Sequence, residues 1–193
     1  MMMNGTYRVY EFPTESPVHG PHVMVNNPAI PAASPFGWHD VDGVEGAEFT
    51  ITRGNNVHAY QDIDDDQLSS NDEPDGGEEL IFDFAHDVDA EPNESIEADV
   101  TNLFYANNLV HDITYLLGFD EASGNYQSNN YGNGGAGNDN VIAHALDGSG
   151  TNNANFGLST DGNNGNMNMF RCCLLYTSPS PRDATLSRMP SSA

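Results

Sequence analysis

The sequence contains no lysine, and its five cationic side chains are arginines set against 29 Asp and Glu. A formal net charge of −24 leaves little to neutralise nucleic-acid phosphates or to dock on an anionic membrane surface, so neither is expected as a partner. Cysteine is almost absent too: Cys172 and Cys173 stand side by side. Adjacent cysteines rarely bridge each other and offer no metal-ligand spacing, so they say nothing of redox compartment. No window approaches the ~20 apolar residues of a membrane span, and the start lacks the basic, apolar and small-residue order of a signal peptide. Also missing are HExxH, a GK[ST] phosphate loop, and any Ser/His/Asp or Cys/His signature.

What is present is acidic and rich in Asn and Gly, with 37% hydrophobic residues. That is enough for one domain with a hydrophobic core, or part of a larger one. Such a charge balance suits a protein kept soluble by self-repulsion, secreted or salt-adapted, and carboxylate-rich loops often hold calcium.

The closing stretch CLLYTSPSPRDATLSRMPSSA, Cys173 to Ala193, breaks this texture, carrying Arg182 and Arg188 against Asp183. CLLYTSPSPRD and SRMPSSA resemble the two ends of a translated transposase-type sequencing adapter, with Ala184, Thr185 and Leu186 at its variable index. A genuine Ser/Pro-rich linker is the other reading, but it leaves this string on both sides of a short gap unexplained. The expected division is 1–171 as the protein's own domain and 172–193 as a non-native, adapter-encoded tail.

Along the body, the prolines at 13, 17, 21, 28, 31 and 35 forbid a helix before Asp40. YRVYEF and HVMVNN read as edge-type strands, and FTIT, Gly-Asn-Asn and VHAY as a hairpin. LIFDF is a further strand. From Ser95 to Gly118, Val100, Leu103, Phe104, Val110, Ile113 and Leu117 recur every three or four residues, which predicts one long core helix. Ser95 or Asn93 caps its start, Glu97 and Asp99 suit the positive end of its dipole, and Gly118 closes it. Beyond it VIAHAL and NANFGL are strands in an ordered, loop-rich β region. The fold class is α+β, β-rich with one long helix.

All seven histidines, at 19, 22, 39, 58, 86, 111 and 144, were weighed as ligands or bases. No two lie four apart on the helix, so zinc ligation within this segment has little support. His19 and His22 straddle a Gly-Pro turn and read as loop structure. Asn107, Asn108, His111 and Asp112 form a polar group on the helix, either a cluster near a cleft or a structural network; the network is favoured for want of a partner motif. Asp62, Asp64 and Asp66 present alternate carboxylates as calcium loops do, although Gln67 stands where an EF-hand requires Gly. A solvated acidic turn is the alternative.

Longer stretches resemble a known family. They are YRVYEFPTESPVHG (7–20), SPFGWHD (34–40), TRGNNVHAYQD (52–62), TNLFYANNLVHDITYLLGFDEASGNYQ (101–127), and DGSGTNNANF (147–156) followed by MNMF (167–170). Together, in order, these are similar to the fungalysin-type zinc metallopeptidases, secreted relatives of the thermolysin-like enzymes. The resemblance implies the β-rich N-terminal lobe of a thermolysin-like peptidase domain. The zinc of the complete enzyme would be held by two HExxH histidines and a later glutamate, all expected past Phe170 and absent here. No catalytic residue and no zinc ligand is therefore assigned within this sequence. TNNANF resembles the edge strand that receives an extended protein or peptide substrate, implying contact through the Asn153 side-chain amide and the Ala154 carbonyl. The resemblance also implies extracellular export, with a signal peptide and an inhibitory N-terminal propeptide that do not precede Tyr7. The expectation is thus a fragment of a secreted zinc metalloendopeptidase, truncated at both ends. The rival is a non-catalytic secreted β-rich module that binds calcium or a partner.

Overall fold

The computed structural model describes residues 5–14, 17–69, 73–90 and 94–171. The expected tail at 172–193 and the alternative cap Asn93 lie outside the described residues. Two small sheets flank one helix. In the first, β1 (Thr6–Val9) lies between antiparallel β2 (Val23–Asn26) and parallel β4 (Ile81–Phe82). Far from being an edge, β1 is central, because Tyr7 and Val9 alternate into the core and β4 covers its other side. In the second sheet β3 (Val57–Gln61), β5 (Val141–Thr151) and β7 (Asn166–Arg171) run parallel, and β6 (Ala154–Gly157) closes the order antiparallel to β7. The helix α1 (Ile96–Leu116) packs on β1, β3 and β5.

The expected hairpin is half right. Gly54 N–H donates to the Val57 carbonyl at 2.9 Å, and only an isolated bridge joins Arg53 to His58. Thr52 also brackets Ala59, but FTIT forms no strand because β3 pairs instead with β5. Gly54 is required there: a Cβ would lie 1.7 Å from the Trp38 carbonyl oxygen.

The first half of α1 buries the expected apolar stripe, with Val100 and Phe104 fully enclosed beside Tyr7, Phe82 and Trp38. The second half departs from it. Val110 is 59% exposed, Ile113 36% and Leu117 81%, and the buried residues are Asn108 and Asp112. The loop over this half of the helix offers N–H and O–H donors at Ile30, Ser34 and Trp38, so the inner face must supply acceptors. At the start, Ser95 occupies the cap position without a side-chain cap bond, because its hydroxyl accepts instead from Asp87 N–H at 3.2 Å. Gly118, at φ +99°, donates to the Tyr115 carbonyl and ends the helix as expected.

His39 is a core residue. It stacks on Phe82 at 5.3 Å and 6°, its Nδ1–H donates to the Arg53 carbonyl at 3.0 Å, and Nε2 accepts from the Tyr7 hydroxyl at 2.8 Å. Burial lowers its pKa to about 4. A histidine held neutral in the fold but protonated on unfolding contributes stability that is present above its unfolded pKa near 6.5 and is lost as pH falls toward 4. We expect unfolding near pH 5 to take up about 0.9 proton at this site. The difference in urea midpoint between wild type and His39→Gln, followed from pH 7 to pH 4, isolates that uptake. A difference independent of pH would contradict it.

Candidate functional site

The chain leaves β5 through Asn152, at φ +55°, and returns as β6. Phe170 N–H donates to the Asn153 carbonyl at 3.1 Å, and β6 continues with Ala154 opposite Met169, Asn155 opposite Asn168 and Phe156 opposite Met167. Antiparallel pairing alternates, so with the Asn153 carbonyl turned into the sheet, the main-chain N–H and C=O of Ala154 and Phe156 face away from β7. Among the described residues no strand covers that side. All of β6 is exposed. Asn153, exposed at the entry to the strand, and Ala154 are thus adjacent on an open sheet edge able to accept another extended chain.

Beside this edge lies a cavity of about 340 Å³ between the last turns of α1 and the second sheet. Val110, Thr114, Phe119, Tyr126, Phe156 and Met167 form half of its wall, and Leu158, also lining it, is 84% exposed. Of the helix residues expected in the core Val110 lines it, and the rest of its apolar wall comes from β3, β5, β6, β7 and the adjoining loops. His111 borders it but is held by structure: Nδ1 lies 3.0 Å from Asp112 Oδ1, and Nε2 lies 3.1 Å from Gln127 Oε1. That arrangement matches the network reading of the helix's polar group. Asp112 accepts from Ile30 N–H, Ser34 Oγ–H and Trp38 Nε1–H, and Asn108 Oδ1 accepts from Asn56 Nδ2–H at 3.2 Å.

Three groups of described residues could hold a cation. Asp62, Asp64 and Asp66 bring their carboxylates within 4.8 Å of one another on the loop after β3, as do Asp40, Asp42 and Glu48 elsewhere. In the first loop Asp62 is buried, whereas Asp64 and Asp66 are exposed. The third group, Asp62, His144 and Asp147, is buried throughout. Sequence reading missed it, because only the parallel pairing of β3 with β5 brings Asp62 to His144. The other histidines have local roles: His58 Nε2 meets Glu73 Oε1 at 2.8 Å, and His22 stacks on Tyr10 near His86. None of the three groups fits a catalytic zinc, which requires an open coordination position beside the substrate: the buried group is enclosed, and the two loops offer only carboxylates.

The sequence model of the fungalysin metallopeptidases (M36) matches residues 6–188. The chain belongs to that family. It is 42% identical over 167 residues to extracellular metalloproteinase 5 of Trichophyton tonsurans, a match covering 86% of this chain and 27% of that protein. The corresponding metalloproteinase 5 of Trichophyton rubrum is 44% identical over 168 residues, with 86% and 26% covered. Extracellular metalloproteinase 2 of Trichophyton rubrum is 41% identical over 167 residues, with 85% and 26% covered. The chain therefore spans about a quarter of the length of the curated relatives it matches.

Proposed function

We propose that this chain is the substrate-binding lobe of a secreted, zinc-dependent metalloendopeptidase that hydrolyses peptide bonds in proteins. Zinc ligands, general base and inhibitory propeptide belong to other parts of the complete enzyme. On this reading residues 1–171 are the peptidase part and 172–193 an adapter-encoded tail, a boundary set by the composition of that tail and placed before the end of the family match at residue 188. Family membership and the extracellular naming of the relatives support the class and its export. The observation that carries the lobe's role is the unpaired main chain of Ala154 on the outer edge of β6.

On this reading a substrate lies extended along β6. The Ala154 carbonyl accepts a substrate N–H, the Asn153 amide fixes the next peptide unit, and the apolar cavity beside Phe156 takes a hydrophobic side chain. Zinc in the complete enzyme supplies Lewis-acid activation of water; the residues here bind and orient. In the complete enzyme Asn153→Ala is expected to lower kcat/KM about 10- to 100-fold, the scale for losing a positioning hydrogen bond in a water-poor site, with zinc content unchanged. An unchanged kcat/KM would remove the edge from the mechanism. The reading also places a calcium ion at Asp62, Asp64 and Asp66, and a flat calorimetric titration of Ca²⁺ into the chain would remove it.

A further inference from the structure

Asp62, His144 and Asp147 lie at 1%, 2% and 1% exposure, where strand β3 ends beside strand β5. In a regular strand His144 and Asp147, three apart, would point to opposite faces. Leu146 at φ +53° and a register shift between His144 and Asp147 re-aim the aspartate onto the histidine's side. Each carboxylate is anchored by one oxygen and turns the other inward. Asp62 Oδ1 accepts from Asp66 N–H and Gln67 N–H at 3.0 and 3.2 Å, and Asp147 Oδ1 accepts from Ser149 N–H at 2.8 Å. Gly148 lets the second loop close on the first, since a Cβ there would lie 2.2 Å from the Ile63 carbonyl oxygen.

The Tyr60 hydroxyl lies 2.9 Å from His144 Nε2 and 3.2 Å from the Gln67 carbonyl. His144 Nδ1 faces Asn168 Oδ1 at 2.8 Å, Asp147 Oδ2 at 3.6 Å and Asp62 Oδ2 at 3.7 Å. The Asn168 amide nitrogen donates to Asn155 Oδ1 at 3.1 Å, which leaves its oxygen toward the cluster. Among the described residues no donor reaches Asp62 Oδ2, a fully buried oxygen aimed into the cluster. Two buried carboxylates thus converge on one imidazole with no Arg side chain among them, in a chain already at −24.

A second ring proton would leave two buried carboxylates against one positive charge. A divalent cation balances both carboxylates with His144 neutral. The spacing also fits: a tetrahedral ion with bonds of about 2.1 Å holds its ligand atoms about 3.4 Å apart, close to the 3.6 and 3.7 Å between Nδ1 and the two Oδ2 atoms. The contact between His144 Nε2 and the Tyr60 hydroxyl at 2.9 Å is the outer hydrogen bond that orients a ligating imidazole, the hydroxyl accepting from Nε2–H once Nδ1 is bound to the ion. We propose that Asp62, His144 and Asp147, completed by the Asn168 amide oxygen, form a buried structural site for a first-row divalent cation of the Mn²⁺ or Zn²⁺ class. The mixed nitrogen and oxygen donors select against calcium, which takes oxygen alone. The ion ties the β3 exit loop to the bulge of β5. This site is separate from any catalytic zinc and does not depend on the peptidase reading.

The test uses Mn²⁺ alone, for which the thiols of Cys172 and Cys173 compete poorly, added to the full 193-residue chain and followed by NMR of the histidine rings. At one equivalent the His144 ring signals are expected to broaden before those of any other histidine. Asp147→Asn is expected to weaken that binding at least 10-fold, and Asp42→Asn, in the separate group with Asp40 and Glu48, to leave it unchanged. If Asp147→Asn fails to fold, the wild-type His144 signals decide alone. The proposal is overturned if Mn²⁺ broadens the Asp64 and Asp66 loop while His144 stays sharp. It is equally overturned if His144 Nδ1 carries a proton that persists at saturating Mn²⁺.

Discussion

Asp112→Ala is expected to destabilise the chain by about 3–5 kcal/mol, the cost of removing a buried charge on which several donors depend. Asp112 is fully buried near the C-terminal end of α1, and its two oxygens take Ile30 N–H at 2.8 Å, Ser34 Oγ–H at 2.7 Å and Trp38 Nε1–H at 2.9 Å, with His111 Nδ1 at 3.0 Å. Alanine leaves an indole N–H, a hydroxyl and a backbone N–H enclosed without an acceptor. Domains hold only about 5–15 kcal/mol in total, so the variant should be largely unfolded in mild urea. Asp112→Asn keeps the shape but turns one acceptor into a donor facing donors, and should recover little of the loss. A midpoint shift equivalent to less than about 1 kcal/mol for Asp112→Ala would mean that the loop over the helix is held by packing alone.

The second large effect concerns catalysis. The 193-residue chain, purified and supplied with zinc, is expected to show no chelator-sensitive proteolysis, while the complete enzyme is expected to be active. The chain has an exposed edge strand and a pocket beside it, but neither HExxH nor, among the described residues, a metal group open to that edge. Loss of the zinc-activated water removes the nucleophile rather than weakening it, so the expected difference is the whole enzymatic rate. Hydrolysis by the chain that EDTA abolishes and zinc restores would contradict this.

The legible and illegible parts of the sequence separate along physical lines. Local patterns carried well: the apolar period of 96–104 became the packed half of α1, VIAHAL became the start of β5, and Gly118 ended the helix. The same period failed from Val110 onward, because burial there is set by donors on a loop about 80 residues earlier in the chain, which no helical periodicity contains. NMNMFR gave no strand signal, since alternating Asn and Met lack β-branched or aromatic character, yet it forms β7 between β5 and β6. The proposed substrate edge was reached through resemblance, and its outward carbonyl at Ala154 needed the register that Phe170 and Asn153 set. Asp62 with His144 and Asp147 was out of reach, because it depends on a non-local parallel pairing and on a bulge at Leu146.

The account's central claim is that this chain is the front of a zinc peptidase whose zinc-binding helix follows Arg171. The most direct test is to read the source DNA across the codons for Met169 to Cys173 by a long-read method that uses no transposase adapter. The account predicts an open frame that departs from CLLYTSPSPRDATLSRMPSSA and continues into HExxH with a glutamate further on. Source DNA that encodes that tail followed by a stop codon would contradict it, and would make the chain a non-catalytic member of its family.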